Sequence, residues 1–500
     1  MLWICLLLPD LPLEVFTRGQ SPVISGTGAP RFAIASGGHY PLIVAANQAA
    51  RAAGIVPGQS VSAALALAPD LVSRDRLLDA ETSALAGVAT WLTQFTPMVS
   101  LAPPQALLAE IDGSLRLFGG LRVLLQRIVS GIRALGYSLH CNWAPNPTAA
   151  LLLARAGQGP SVTRSEDLAD ALAPLSLAHL GASADVVALL RAAGVTTFGA
   201  ACALPRDGLA RRAGGAFVAA LDRARGLAPD PQLPFIPPAR YEGKLELPVP
   251  ISEVAALGFA VNRLVHELSG WLLGRGRGVI ELSIAMAHER YIGVRTGVSA
   301  TTLRFALASP AREPAHLTAV LRERLARVEL PAPVESIVLA SEVTAPLAGR
   351  NLGLLPGDEA LITVPLLDRL RARLGEDAVL RVAPLSEHRP ERAWQAQSWN
   401  ASASPSRSST THPGVKATPL PSGPRPLWLL SEPAPLGATF ETRPWVLRDG
   451  PERIESGWWD GADIRRDYFT AESPRGEMLW IYRDSRYGDD GEWFLQGMFA

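Results

Sequence analysis

Glu110 and Asp112 stand two residues apart in the run LLAEIDGSLRL. On a regular strand that spacing puts both carboxylates on one face. Such a pair offers the hard oxygen ligands that Mg²⁺ takes, so it could hold a divalent cation. The competing reading leaves Glu110 on the strand and gives Asp112 to a turn with Gly113. Cys5, Cys141 and Cys202 lie far apart and form no metal-ligand spacing. Their odd number argues against a disulfide framework, and a reducing cytoplasm suits them. Near the C-terminus Trp458, Trp459, Trp480 and Trp493 accompany Arg465 and Arg466. Trp and Arg dominate interface hot spots, so these six are candidate partner-binding residues. No cofactor is expected.

The 500 residues exceed what one core sustains, and 48% of them are hydrophobic, enough for several cores. Formal net charge is zero, which lends no bulk support to nucleic-acid binding. Only Lys244 and Lys416 are lysines among 47 basic residues, as a GC-rich genome would produce. The opening MLWICLLLPDLP has no basic stretch before its apolar run, and Pro9-Asp10 ends that run early, so a buried strand is expected and not a signal peptide. No stretch reaches the ~20 apolar residues of a membrane span, and no membrane partner is expected.

The expected fold class is α+β and multidomain. Residues 2–8 read as an apolar strand, and Pro41–Ala46 as another that leads into a helix. Leu107–Leu117 alternates like a strand pair around Asp112-Gly113. An amphipathic helix follows Gly119-Gly120, then a strand over Tyr137–Trp143, giving an α/β domain over 1–165. Residues 166–235 read as short helices, with Gly194 ending one and Thr197 capping the next. Residues 243–347 give strand, helix, strand, strand, helix, strand, with eleven basic and ten acidic residues. Any nucleic-acid contact there must come from local placement, with Arg275, Arg277 and Arg304 as candidates. A clamp-motif segment with a short α/β extension is placed at 348–395. A disordered linker rich in Ser, Thr and Pro covers 396–426, and a Trp-rich module covers 427–500.

AANQAARAAGIVPGQSVSAALALAPDL resembles the fingers segment of Y-family DNA polymerases. There the arginine of an A-R-x-x-G-[IV] run contacts the incoming triphosphate, so the resemblance makes Arg51 a vestigial nucleotide contact. The usual tyrosine three residues earlier is Gln48 here. Residues 1–165 are similar to the palm and fingers, 166–235 to the helix-hairpin-helix thumb, and 243–347 to the little finger. In a thumb of that kind Gly181 and Gly194 would sit at turns whose backbone N–H groups grip phosphate. The first hairpin, HLGASADVV, lacks the second glycine of the usual motif. The long C-terminal segment GPERIESGWWDGADIRRDYFTAESPRGEMLWIYRD resembles the tail of the ImuB branch.

Y-family enzymes hold two Mg²⁺ ions with carboxylates in a D-x-D-x-F-F pattern and a later Asp-Glu pair. Laid onto this sequence by their flanks, those positions fall on Leu7, Pro9, Gln105 and Ala106, none of which is acidic. Asp10 is one residue out of register. The resemblance therefore implies no metal and no catalysis. It implies a non-catalytic adaptor for damage-induced, error-prone translesion synthesis, with an active polymerase using displaced ligands as the alternative. Expected partners are damaged primer–template DNA, the sliding clamp, ImuA and an error-prone replicative-type polymerase subunit. Asn351, Leu352, Leu354 and Leu355 loosely resemble a clamp-binding peptide, which drops apolar anchors into a preformed pocket.

Overall fold

The computed structural model describes residues 1–20, 30–157, 161–289, 297–347, 360–385, 387–398, 424–437, 440, 444–486 and 491–499. They divide into two units, Met1–Arg373 and Leu374–Ala500.

The apolar N-terminal run is the strand β1 (Trp3–Leu7) of the first unit. It lies inside a four-stranded antiparallel sheet whose other members are β5 (Val99–Ala102), β6 (Ala106–Glu110) and β7 (His140–Ala144), in the order β5-β6-β1-β7. Its composition follows from burial on both faces. Ile4, Leu6 and Leu8 point into a core shared with helices α4 (Leu78–Leu92) and α6 (Leu121–Ala134). Trp3 and Cys5 point the other way, into a core with α7 (Pro147–Ala156) and the helices beyond it.

The expected strand pair over 107–117 is corrected. Ala106–Glu110 is a strand, but Asp112–Ser114 is a 3₁₀ turn and Leu115–Phe118 is the short helix α5. The alternation there misled because β6 already has both neighbours, β5 and β1.

A small sheet, β3-β2-β4, stands apart from the first. It comprises β2 (Phe32–Ala35), β3 (Ile43–Ala46) and β4 (Val72–Asp75), with α1 (Leu11–Thr17) before it and α2 (Gln48–Ala52) and α3 (Val61–Leu67) around its own core. Five short helices follow: α8 (Leu168–Leu172), α9 (Ala184–Ala192), α10 (Phe198–Cys202), α11 (Arg206–Ala213) and α12 (Gly215–Arg225). Ser183 and Thr197 cap α9 and α10 by accepting from Val186 and Ala200 N–H.

A third sheet, β10-β9-β11-β8, is built from β8 (Glu242–Ile251), β9 (Arg277–His288), β10 (Ala300–Ala311) and β11 (Val334–Pro346). Its core packs under α13 (Gly258–Gly274) and α14 (Pro314–Leu325), and α15 (Ala360–Leu374) follows. This layer is bolted to the first sheet's helices by buried polar groups. Arg18, just after α1, ion-pairs with Glu267 of α13 at 3.2 Å and donates to Lys244 O. Burial pushes the Glu267 carboxyl up, while the Arg18 guanidinium opposes that rise. Gly131 of α6 and Gly270 of α13 leave the room that the Trp91 ring occupies.

Nearby, Glu14 accepts the Ser138 N–H at 2.7 Å. Burial pushes its carboxyl up to about 7. Its neutral form therefore stabilises the fold, fully below the ordinary carboxyl range, and that contribution is lost as pH rises through about 7. Glu14→Gln, which keeps the accepting oxygen, is expected to add up to about 3 kcal/mol at pH 8 and almost nothing at pH 4, at about 1.4 kcal/mol per pH unit between the two values. Urea denaturation at both pH values checks this; an equal effect at both would refute it.

The second unit holds the hairpin β12 (Leu380–Pro384) and β13 (Trp394–Ser398), and a five-stranded antiparallel sheet, β14-β18-β17-β16-β15. Its strands are β14 (Trp428–Pro435), β15 (Val446–Ser456), β16 (Ile464–Glu472), β17 (Met478–Asp484) and β18 (Trp493–Met498). Two expectations change here. Residues 396–398, given to the linker, finish β13 because they pair with Leu380–Val382. The unit also begins near residue 374 and not at 427, because 387–391 is tied into the sheet: Arg389 reaches Asp460, Glu387 accepts from Ser456, and Glu391 pairs with Arg466.

Candidate functional site

The four positions at issue converge at one end of the β1–β6 ladder. Leu7 and Ala106 are direct cross-strand partners. Leu8 N–H donates to Gln105 O at 2.8 Å, and the Gln105 amide donates to Pro9 O at 3.4 Å. The cluster presents methyl groups, a pyrrolidine ring and one amide. It supplies no carboxylate oxygen, so these residues do not fit Mg²⁺.

Asp10 is the adjacent acid. It sits at the N-terminal boundary of α1, outside the strand, and its carboxylate meets Arg51 at 2.8 Å. The arginine thus faces this strand end from α2, with the protein's own carboxylate as its anion. Glu110 lies opposite Trp3, at the far end of β6, roughly 13 Å of strand from Ala106. Its carboxylate accepts the Asp112 N–H at 3.0 Å, and Asp112 faces the N-terminal ammonium at 3.5 Å. The turn reading of Asp112 is therefore the one that the geometry supports. Among the described residues no group of three or more His, Cys, Asp or Glu converges as a metal cage would require.

Gly181 and Gly194 both have positive φ, 69° and 78°, and open the turns before α9 and after it. Of the three arginines expected on the third sheet, two are committed elsewhere. Arg275 stacks over Trp271 and donates to Pro237 and Pro238 carbonyls. Arg277 donates to the Thr344 hydroxyl and carbonyl. Just after α13, Arg275 thus holds the 237–238 segment and Arg277 holds the end of β11, contacts that spacing alone does not reveal. Arg304 is exposed on the face away from the helices. There the register sets it beside Ser283, with Ala340 next across, and the row of Thr302, Ala285 and Val338 adjoining. The result is a flat surface of small side chains. Glu342 shares it, its carboxyl held below the ordinary range by the Ser283 hydroxyl, Arg240 and Arg304.

In the second unit the six partner-binding candidates separate. Trp480 is 2% exposed and stacks on Tyr468 with ring centres 4.2 Å apart. Trp493 stacks on Phe440 at 4.4 Å. Arg466 pairs with Glu391 and lies over the Tyr482 ring. Trp480 is therefore core, contrary to expectation, while Trp493 and Arg466 are partly buried and engaged within the sheet. Trp458 and Trp459 are 80% and 56% exposed, edge to face at 5.5 Å, in the turn joining β15 and β16. Arg465, exposed beside them, pairs with Glu455.

Sequence reasoning missed what mounts this turn. Arg389 is only 3% exposed; it donates to Asp460, Ala462 O and Glu387, and lies 5.8 Å from the Trp459 ring centre. Its guanidinium holds the Glu387 carboxyl down to about 2. Gly457 and Gly461 both take positive φ. The run GWWDG, a tryptophan pair bracketed by glycines, was the available signal. Asn351, Leu352, Leu354 and Leu355 lie outside the described residues.

The chain is Y-family-polymerase-like, and its strand end at Leu7, Pro9, Gln105 and Ala106 carries no acid. A family profile described as the impB/mucB/samB family matches residues 20–155. Protein ImuB of Caulobacter vibrioides is 30% identical over 485 residues, covering 89% of this chain and all of that protein, in both strains NA1000 / CB15N and ATCC 19089. The chain belongs to the ImuB family. Among solved structures, a Dbh–Dpo4 chimera of Y-family DNA polymerase and DinB from Sulfolobus solfataricus align at 15% identity with TM-scores of 0.40 and 0.38, each over 68% of this chain and 98% of theirs. Among the described residues no helix is long and apolar enough to cross a membrane.

Proposed function

We propose that the protein is a non-catalytic adaptor for error-prone translesion synthesis: it binds damaged primer–template DNA and brings synthesis machinery to it. The observation that carries this reading is the meeting of Leu7, Pro9, Gln105 and Ala106 where a polymerase of this class needs four carboxylates. The alternative, an active polymerase with displaced ligands, is disfavoured because Glu110 and Asp112 stand at the wrong end of β6 and Asp10 is engaged by Arg51.

DNA binding needs no metal. Phosphates bind to basic side chains and to backbone N–H groups, sequence-independently and with strong salt dependence. Arg304 and the turns at Gly181 and Gly194 are its candidate contacts. The partners are the sliding clamp through Asn351, Leu352, Leu354 and Leu355, and ImuA and an error-prone replicative-type polymerase subunit through Trp458, Trp459 and Arg465.

A capture assay on immobilised primer–template tests the role. The full chain is expected to retain clamp, ImuA and polymerase subunit together. Leu352→Ala with Leu354→Ala should lose the clamp alone, and deletion of residues 374–500 should lose the other two with DNA affinity nearly unchanged. Arg304→Ala should lower the slope of log affinity against log salt by about 0.9. A full chain that holds DNA but retains none of the three would refute the adaptor reading.

A further inference from the structure

Nearly every arginine followed so far is matched by a carboxylate, a carbonyl or a hydroxyl of its own chain. Arg127 and Arg312 are not, and both line one cavity of about 470 Å³. It lies where α4, α6 and α13 meet the start of α14. Trp91, Phe95, Phe118 and Leu273 give it an apolar wall. The wall is fixed: Trp91 meets Phe95 edge on at 5.2 Å, and Phe95 meets Phe118 at 5.3 Å. A Cβ at Gly131 or Gly270 would strike the Trp91 ring, and at Gly270 also the Gln94 amide.

The polar groups are few and placed. The Arg127 guanidinium stands 5.7 Å from the Phe118 ring centre. Arg312 Nε is buried without an acceptor, which costs about 1–3 kcal/mol unless something accepts from it. The Arg312 carbonyl accepts from Ser269, which anchors its backbone at the cavity edge. Burial, and then the Arg263 charge, push down the pKa of His266, which also lines the space. Glu313 is the acid at the rim; it is exposed and pairs with neither arginine.

A volume in the range of small-molecule sites, with an angular aromatic wall, the exposed Arg127 guanidinium and Arg312 among its lining, is suited to a ligand with an aromatic body and an anionic end. We propose that this cavity binds a nucleoside monophosphate, the base against Trp91, Phe95 and Phe118 and the phosphate on Arg127 and Arg312. The site shares no residue with the strand end at Leu7 and Pro9 or with Arg51. It joins helices of the first sheet to helices of the third, so a bound nucleotide would brace the two layers.

Isothermal titration of the full-length protein with dAMP tests this, with adenosine and inorganic phosphate as partial ligands. One molecule of dAMP is expected per chain, at least tenfold tighter than either partial ligand. Arg127→Gln with Arg312→Gln should weaken it at least tenfold without lowering the melting temperature of the free protein. Ser130→Phe, which fills the cavity from an exposed helical position, should do the same by another route. Arg51→Gln should leave it unchanged. The proposal is overturned by absence of dAMP binding at millimolar concentration, by equal affinity for phosphate or for adenosine, or by loss of binding in Arg51→Gln with retention in the double variant.

Discussion

Glu267→Ala is expected to cost about 3–5 kcal/mol of stability, more than any substitution at the polymerase-like strand end. The side chains of Arg18 and Glu267 are 2% and 7% exposed, and Arg18 also packs over the Tyr137 ring at 5.0 Å. Removing the carboxylate strands a guanidinium that water cannot reach. The intact pair is not itself a large asset, since burial works against Glu267 and Arg18 only offsets it. Replacing both by Met should therefore recover most of the loss. Urea denaturation of the three variants decides. A single Ala variant within 1 kcal/mol of wild type would show that the pair is solvated and that the two layers are not joined through it.

Arg389→Ala should weaken partner capture by the C-terminal unit about thirtyfold or more. Trp458 and Trp459 project into solvent from a turn whose geometry is set by the Arg389–Asp460 contacts. An aromatic anchor contributes to binding when it is held in place beforehand. Trp458→Ala with Trp459→Ala should weaken partner affinity by about thirtyfold or more, about 2 kcal/mol, while leaving the melting temperature unchanged. Arg389→Ala should match that loss and also lower the melting temperature, because Glu387 and Asp460 are left facing one another. Surface-immobilised ImuA and polymerase subunit, titrated with each variant, give the comparison. Full affinity in the tryptophan double variant would move the contact elsewhere.

The parts of the fold legible in the sequence were those with one dominant cause. The run ICLLL had to be a buried strand, and both of its faces are covered. The sheet-and-helix order of 243–347 followed from period alone. Leu107–Leu117 failed because a period-two pattern looks alike in a strand and in a strand that passes into a short helix. Leu7, Pro9, Gln105 and Ala106 were picked out from flanking residues, and they meet at one end of the β1–β6 ladder. What pairs with what was not legible. Arg275, Arg277 and Arg466 are engaged by partners 38, 67 and 75 residues away in sequence, Arg275 at the surface and the other two partly buried. Nothing local distinguishes them from Arg304, which stays exposed. Trp480 and Trp458 are likewise the same residue type in the same dense segment, and only the sheet's register sorts core from surface.

Primer extension by the purified protein, with Mg²⁺ or Mn²⁺ and all four deoxynucleoside triphosphates, tests the central claim most directly. The strand end built from Leu7, Pro9, Gln105 and Ala106 predicts no incorporation on damaged or undamaged template, at protein concentrations that saturate the DNA. Metal-dependent extension that is lost on Glu110→Ala, Asp112→Ala or Asp10→Ala would contradict the account and make the protein a polymerase with relocated ligands.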